Sequence, residues 1–124
     1  MNRNYKEELF YLCSLIEFIG RKTNNRRGDI VARLSDQALA HQLRAAEVNH
    51  CLSFEQVCDE WIEDYGIENG QFDNVSSCKY KVPTVMDIGR VYQTLIMDVE
   101  KSYKNIIEAI KAVYFSFISN EISD

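Results

Sequence analysis

The chain of 124 residues contains little that interrupts a helix, with one Pro and five Gly. Because these residues break helices and mark turns, their scarcity disfavours a turn-rich β fold. Long apolar runs are also missing, since residues 9–20 are too few to span a bilayer and Glu17 interrupts them. No basic segment with a cleavage site precedes this run, so we expect neither a membrane span nor a signal peptide.

Cysteine is present, but in no recognised metal or redox pattern. The four Cys, at positions 13, 51, 58 and 78, show none of the paired short spacings of zinc sites or redox motifs. Cys13 lies on the apolar face of the first predicted helix, where a buried reduced thiol is expected. We therefore expect a reduced, cytoplasmic protein with no metal and no cofactor.

The pair His50–Cys51 is the best candidate for reactive chemistry, because it precedes a helix N-terminus that favours a thiolate. Adjacent residues of an extended chain point to opposite sides, which weakens the pairing. We favour a buried Cys and a His that hydrogen-bonds the turn, and therefore no catalytic residue. A small thiol enzyme that uses Cys51 is a further alternative.

The formal net charge is −5, with 14 Lys and Arg against 19 Asp and Glu. Nucleic-acid binding depends on basic side chains that neutralise phosphates, so this balance argues against it as the main activity. The charge is also uneven, because residues 55–73 contain seven acids and no base. One basic group flanks a loop that we interpret as solvated: Arg21, Lys22, Arg26 and Arg27.

Apolar periodicity predicts four helices in residues 1–66. The first, over about residues 4–22, is apolar nearly all round and should be buried on two sides or form an interface. A short helix over 29–34 follows the basic loop, and Ser35 can cap a third helix over 36–47.

The fourth helix, over residues 54–65, has the clearest boundaries. Ser53 opens a capping-box pattern, and Gly66 suits the left-handed position after a helix C-terminus. One side of this helix is apolar and the opposite side is acidic. Charged helix faces are usually solvated, but we predict that this face and an extended segment within 71–82 contact a protein partner. The predicted partner-binding residues are Glu55, Asp59, Glu63, Tyr80 and Lys81.

Residues 67–83 form an irregular connector, after which a second capping box starts at Thr84. The following pattern predicts one long helix over residues 84–119, within which Gly89 indicates close approach by a helix, a Tyr or a ligand. Unbroken, this helix would be roughly 50 Å long, whereas a compact domain of this size is about 30 Å across. Either the helix bends near residues 98–102 or another chain covers its far end.

We favour the second alternative, because four further apolar residues widen the apolar surface at the far end: Ile107, Tyr114, Phe115 and Ile118. A heptad-like apolar seam runs along the predicted helix. We therefore expect a homo-oligomer. The predicted self-association residues are Leu95, Val99, Tyr103, Ile106, Ile110, Val113 and Phe117.

Three short stretches resemble a known family: Leu15–Ile19, Asn49–Leu52 and Val57–Glu63. They are similar to motifs of a family of small bacterial helical proteins of uncharacterised function, encoded beside ADP-ribosyltransferase-like toxins. The resemblance covers about residues 9–66. It implies an antitoxin-like role in which the chain binds a toxin protein, and it carries over no catalytic residues.

Together these patterns predict an all-α protein with one domain over residues 1–124. It would be a bundle of four N-terminal helices plus one long C-terminal helix, and it would act as a non-catalytic protein-interaction module. The alternative is a helix-turn-helix-like regulator that binds nucleic acid through residues 29–47. Four arginines would assist that alternative: Arg26, Arg27, Arg33 and Arg44.

Overall fold

The computed structural model describes residues 5–72 and 83–116. Within these ranges the chain forms six α-helices and a short 3-10 turn, with no β-strand. The helices are α1 (Lys6–Thr23), α2 (Arg27–Ala32), α3 (Asp36–Asn49), α4 (Phe54–Tyr65), α5 (Val85–Val99) and α6 (Ile106–Tyr114), and the 3-10 turn is Glu100–Ser102. The predicted all-helical class is confirmed for this part of the chain.

Side-chain caps fix the helix boundaries that the sequence predicted most clearly. The Gln56 N–H donates to Ser53 Oγ at 3.1 Å, which starts α4. Thr84 and Asp87 form both hydrogen bonds of a capping box at the start of α5, at 3.0 and 3.1 Å. Gly66 ends α4 with a φ of 61°, a left-handed conformation that glycine adopts without a Cβ clash.

Helix α1 is the centre of the bundle. It packs against α2, α3 and α4, and most extensively against α5. Side chains around nearly its whole circumference are buried, which confirms the prediction of burial on two sides. The buried residues are Leu9, Leu12, Cys13, Ser14, Leu15, Ile16, Glu17, Ile19, Gly20 and Thr23.

The closest approach of α1 and α5 lies at Ser14 and Gly89. A Cβ placed on Gly89 would lie 2.9 Å from the backbone N and Cα of Ser14. Because these are backbone atoms, the two helices would have to separate to admit it. The close approach predicted at Gly89 is therefore made by a neighbouring helix.

The predicted single helix over residues 84–119 is wrong. Helix α5 ends at Val99, and after the 3-10 turn Tyr103 is extended, with φ −121° and ψ 160°. Asn105 then starts α6, since its side chain accepts a hydrogen bond from the Glu108 N–H at 3.0 Å. The chain folds back, and α6 packs on α5, α2 and α3. Most of the stability of a helix in a protein comes from packing of its apolar face. Burial of the α6 apolar face against the same chain is therefore more favourable than a helix that continues beyond the core.

The predicted self-association seam is divided by this fold-back. Ile110 and Val113 are buried, Leu95, Val99 and Ile106 are half-buried against the core, and Tyr103 is exposed. Phe117 lies outside the described residues. The chain itself covers Ile110 and Val113, so these two side chains are not available to a second copy in this fold.

Candidate functional site

A cluster of buried polar side chains surrounds Glu17 on α1. Its carboxylate is 1% exposed and accepts hydrogen bonds from Arg27 of α2 and, at 2.7 Å, from Arg21 Nε. A second Arg27 nitrogen lies 3.3 Å from Glu17, and Arg21 also donates to the Pro83 carbonyl at 2.7 Å. Arg27 is buried, so the prediction that these arginines lie in a solvated loop is wrong for Arg27.

Two stacked tyrosines extend this buried cluster. The rings of Tyr92 and Tyr114 lie 4.5 Å apart between centroids and are inclined by 2°, and the Arg27 guanidinium lies 5.4 Å from the Tyr92 centroid. Burial raises the pKa of Cys13 to about 12 and holds the pKa of Tyr114 well above its ordinary value. Burial lowers the pKa of Arg27, but the charge and hydrogen bond of Glu17, together with Tyr92 and Tyr114, raise it, and the net shift is upward.

This Glu17 cluster serves the fold. Its charges are paired within the chain, Cys13 and Tyr114 stay neutral at pH 7, and both Glu17 and Arg27 are buried. Removal of one partner from a buried pair leaves an uncompensated charge, so such a pair holds its helices in one arrangement. We therefore interpret the cluster as structural.

Helix α4 presents the acidic face that the sequence predicted. Its inner side is buried through Val57, Cys58 and Trp61. The predicted contact residues Glu55, Asp59 and Glu63 are all exposed on the outer side. The other two predicted contact residues, Tyr80 and Lys81, lie outside the described residues.

The described start of the connector lies against the loop between α1 and α2. The Gly70 N–H donates to the Thr23 carbonyl at 2.7 Å, and the Phe72 N–H donates to the Asn24 carbonyl at 2.9 Å. The Arg26 guanidinium lies 4.4 Å from the Phe72 ring centroid. The loop is therefore held by backbone hydrogen bonds and by a cation–π contact.

A cleft of about 560 Å³ opens between the N-terminal half of α1, the end of α3 and the entrance to α4. We call it the α1–α3 cleft. Its apolar wall consists of Phe10, Tyr11, Leu52, Phe54 and Met86. The Tyr11 and Phe54 rings are in contact, with centroids 5.5 Å apart. Leu52 and Met86 are 36% and 48% exposed, so the apolar surface continues out to the rim.

Polar groups are few in this cleft and mostly acidic. Glu7, Glu8, Glu47 and His50 line it together with Ser14, and no Lys or Arg is among the described lining residues. Ser14 is fully buried, and its hydroxyl has no hydrogen-bond partner in the described part of the chain. Ser14 therefore lies at the floor, where α1 crosses α5.

The acidic face of α4 borders this cleft. The Tyr11 hydroxyl donates to the Asn49 carbonyl at 3.1 Å. Burial raises the pKa of Tyr11, and the negative charge of Glu60 on α4 raises it further. Glu60 therefore lies near enough to act on a residue that lines the cleft, so the α4 face adjoins the cleft.

The favoured expectation of a buried Cys51 is wrong. Cys51 is exposed, and its Sγ lies 3.8 Å from His50 Nδ1. Cys58 is buried, and burial together with the nearby Asp59 raises its pKa to about 11. Across residues 5–72 and 83–116, no group of three or more His, Cys, Asp or Glu is placed to hold a metal ion. Cys78 lies outside these ranges.

The basic surface of the alternative helix-turn-helix function is smaller than the sequence predicted. Arg27 is buried against Glu17, and Arg26 rests on Phe72. Arg33 and Arg44 remain exposed. Two exposed arginines and the stacked Arg26 give a weak electrostatic footprint for a phosphate backbone.

No described helix combines the length and apolarity needed to cross a membrane. No protein-family model, no curated protein and no solved structure matches this chain.

Sequence reasoning missed both the Glu17 cluster and the cleft. Glu17 was visible as a charge within an apolar stripe, a signal for a buried ion pair, but its partner Arg27 lies ten residues away on another helix. The cleft combines residues from α1, α3, α4 and α5, so no local pattern contains it.

Proposed function

We propose that this chain is a protein-binding module with an antitoxin-like role, and that α4 presents its binding surface. The observation that carries the proposal is the acidic outer face of a helix fixed at both ends, by the Ser53 cap and by Gly66. Because α4 is anchored through its buried side, its carboxylates are presented without further ordering of the backbone. We propose binding, with no chemistry, as the role of this surface.

The charge pattern favours a basic partner. Glu55, Asp59 and Glu63 are spaced by four residues, so each neighbouring pair repels by a few tenths of a kcal/mol. A partner that carries Lys or Arg opposite them would relieve this repulsion and would be steered towards α4 at low salt. The apolar rim residues Leu52 and Met86 beside the face add surface whose burial favours association.

The test is quantitative co-purification from the native host with matched charge reversals. We expect the wild type and Asp98→Lys, an exposed reversal on α5, to retain the same partner in equal amount. Asp59→Lys combined with Glu63→Lys should retain about tenfold less, because attraction becomes repulsion. Equal recovery with all three proteins would contradict the proposal, provided that their circular dichroism spectra and melting temperatures agree.

The nucleic-acid alternative predicts retention on DNA that falls steeply with salt. With Arg27 sequestered by Glu17, we expect no such retention at physiological ionic strength.

Homo-oligomer formation is a separate part of the proposal. It now depends on exposed apolar side chains outside the buried seam, such as Tyr103 and Phe115, which are 42% and 51% exposed. Light scattering of wild type and Tyr103→Asp would test it. An unchanged mass in the variant would exclude Tyr103 from the interface.

A further inference from the structure

We propose that the α1–α3 cleft receives one large apolar side chain of the protein partner, from a segment with a basic residue on the α4 side and an acidic residue on the α5 side. We call this apolar side chain the anchor. The inference rests on the proposed protein-binding function and deepens it, because it names a second contact and the order of charges around that contact. Three observations carry it: the apolar rim of the cleft, the position of Glu60 and the position of Arg90.

The apolar surface of the cleft continues from its interior to its rim. Phe10, Tyr11 and Phe54 are half-buried inside the cleft, whose volume of about 560 Å³ admits a large side chain. Leu52 and Met86 at the rim are 36% and 48% exposed. Exposed apolar surface of this kind marks a site that another protein covers. Side chains that fill such pockets, aromatic ones most often, supply much of the binding energy of a protein interface.

The polar groups that line the cleft do not select a charged ligand. Glu8 and Glu47 already interact with other groups of the chain. The Ser14 hydroxyl faces Gly89 across the crossing of α1 and α5. Glu7 is exposed in the first turn of α1, where the helix dipole favours its charge. The cleft therefore suits an apolar group, and the charges that orient the partner lie on the helices beside it.

Helix α4 places a negative charge beside one wall of the cleft. The Tyr11 and Phe54 rings are in contact, with centroids 5.5 Å apart, so α4 contributes to this wall. Glu60 is exposed on α4, and its charge adds to burial in raising the pKa of Tyr11. Residues 55–73 contain seven acids and no base, so α4 supplies no cation of its own. A basic side chain of the partner next to the anchor would be attracted to this side.

Helix α5 places a positive charge beside a different wall. Arg90 is exposed, and its guanidinium lies 3.8 Å from the centroid of the Phe10 ring. Arg90 Nη1 donates to the neutral amide of Gln93 at 2.7 Å, which holds the guanidinium and leaves its charge in place. An acidic side chain of the partner would be attracted to this side, and a basic one would be repelled. The two charges therefore set the direction of the segment across the cleft.

The first experiment compares matched rim variants by quantitative co-purification of the partner that the wild type retains. Met86→Asp should retain about tenfold less, because the added carboxylate loses water when the anchor binds. An Asp in the first turn of α5 is favoured by the helix dipole, so this variant should keep the fold. Met97→Asp changes the same residue type on the same helix at 38% exposure, away from the described lining residues. It should retain as much as the wild type, and equal retention by two variants with matching melting temperatures would overturn the proposal.

Photo-cross-linking then identifies the partner segment. Met86 is replaced by the photoreactive residue p-benzoylphenylalanine in the full chain, and the cross-linked peptide is sequenced by mass spectrometry. We expect a large apolar residue with a base on one side and an acid on the other. A segment with charges of the same sign on both sides of the apolar residue would overturn the proposal.

Charge exchange tests the direction of the segment. A synthetic peptide of the cross-linked segment is titrated with the full chain by fluorescence anisotropy. Glu60→Lys should weaken binding about tenfold, and a peptide whose base is replaced by Glu should restore it. Arg90→Glu should likewise be rescued by a peptide whose acid is replaced by Lys, whereas Glu108→Lys, at an exposed acid of α6, should change neither affinity. No rescue by either exchanged peptide would overturn the charge order.

Failure of this inference and failure of the proposed function give different results. If Asp59→Lys with Glu63→Lys loses the partner while Met86→Asp retains it, binding through α4 stands and the cleft contact is refuted. If the α4 double variant retains the partner while Met86→Asp loses it, the α4 surface is refuted and the cleft contact stands.

Discussion

Two glutamates of α1, Glu17 and Glu7, lie in opposite environments. Glu17 lies near the end of α1 within paired arginines and stacked tyrosines, whereas Glu7 lies in its first turn at the rim of an open cleft. Their Cα atoms are about 15 Å apart, given the rise of an α-helix. The first carboxylate is satisfied by its own chain and fixes the fold. The second is exposed at a cleft whose described lining residues include no Lys or Arg.

The comparison teaches where to expect function in this molecule. Buried polar groups that find partners inside the chain hold helices together, and their loss is a loss of stability. Exposed acids beside an apolar surface contribute little to stability, so their effect should appear in binding. Four variants or conditions separate these two behaviours.

The largest effect is expected from Glu17→Gln. It leaves Arg27 buried without its anion, and breaking a buried pair in this way generally costs about 3–5 kcal/mol. Urea unfolding would measure the change. The double variant Glu17→Leu with Arg27→Met removes both charges and should recover most of the loss. If the double variant were as unstable as the single one, the charge pair would not be the cause.

A smaller loss of stability is expected from Gly89→Ala, at the crossing of α1 and α5. The added Cβ meets the backbone of Ser14, so we expect a net loss of about 1–3 kcal/mol, although Ala is the better helix former. Ser14→Gly in the same chain should rescue little, because the clash includes the Ser14 backbone N and Cα. Thermal unfolding of the two variants would check this, and a more stable Gly89→Ala would show that the helices are not held this close.

Alkaline pH should progressively lower the free energy of unfolding, because Cys13 is buried beside the Glu17 cluster. The ordinary pKa of Cys is 9.0 and that of folded Cys13 is about 12. Between these values the unfolded chain binds fewer protons than the folded one, so stability falls as pH rises, by about 1.4 kcal/mol per pH unit for this group. Urea unfolding from pH 8 to 11 would show the fall. Cys13→Ala should reduce the slope above pH 9 by that amount, and an unchanged slope would mean that Cys13 does not contribute.

The smallest effect on stability is expected from Glu7→Gln, the same chemical change as Glu17→Gln on the same helix. Glu7 is exposed and gains only the dipole of the first turn, so we expect a loss below about 1 kcal/mol. Its melting temperature should stay close to that of the wild type. A loss as large as that of Glu17→Gln would show that Glu7 belongs to the scaffold.

Local rules predicted the helix boundaries well. Ser35, Ser53 and Thr84 each accept a hydrogen bond from a backbone N–H at a helix start, and Gly66 closes α4 as its left-handed φ requires. These signals act within a few residues, so the sequence carries them directly.

The sequence pattern did not decide between one long helix and two shorter helices in the C-terminal part of the chain. The seam through Val99 and Ile106 continues with helical spacing, but Asn105 also caps a new helix, and only packing of α6 on α2 and α5 decides between them. The acidic face of α4 was predictable from periodicity. The cleft was not, because Ser14, Glu47 and Met86 come from three different helices.

The most direct test that binding uses the acidic face of α4 and the adjoining cleft is hydrogen–deuterium exchange. It would be measured on the chain alone and in complex with its co-purified partner. We predict slower exchange in residues 54–65 and in the segments that border the cleft, with no change in α2 beside Arg27. Slower exchange confined to residues 27–49, with residues 54–65 unchanged, would contradict the assignment of function to the acidic surface.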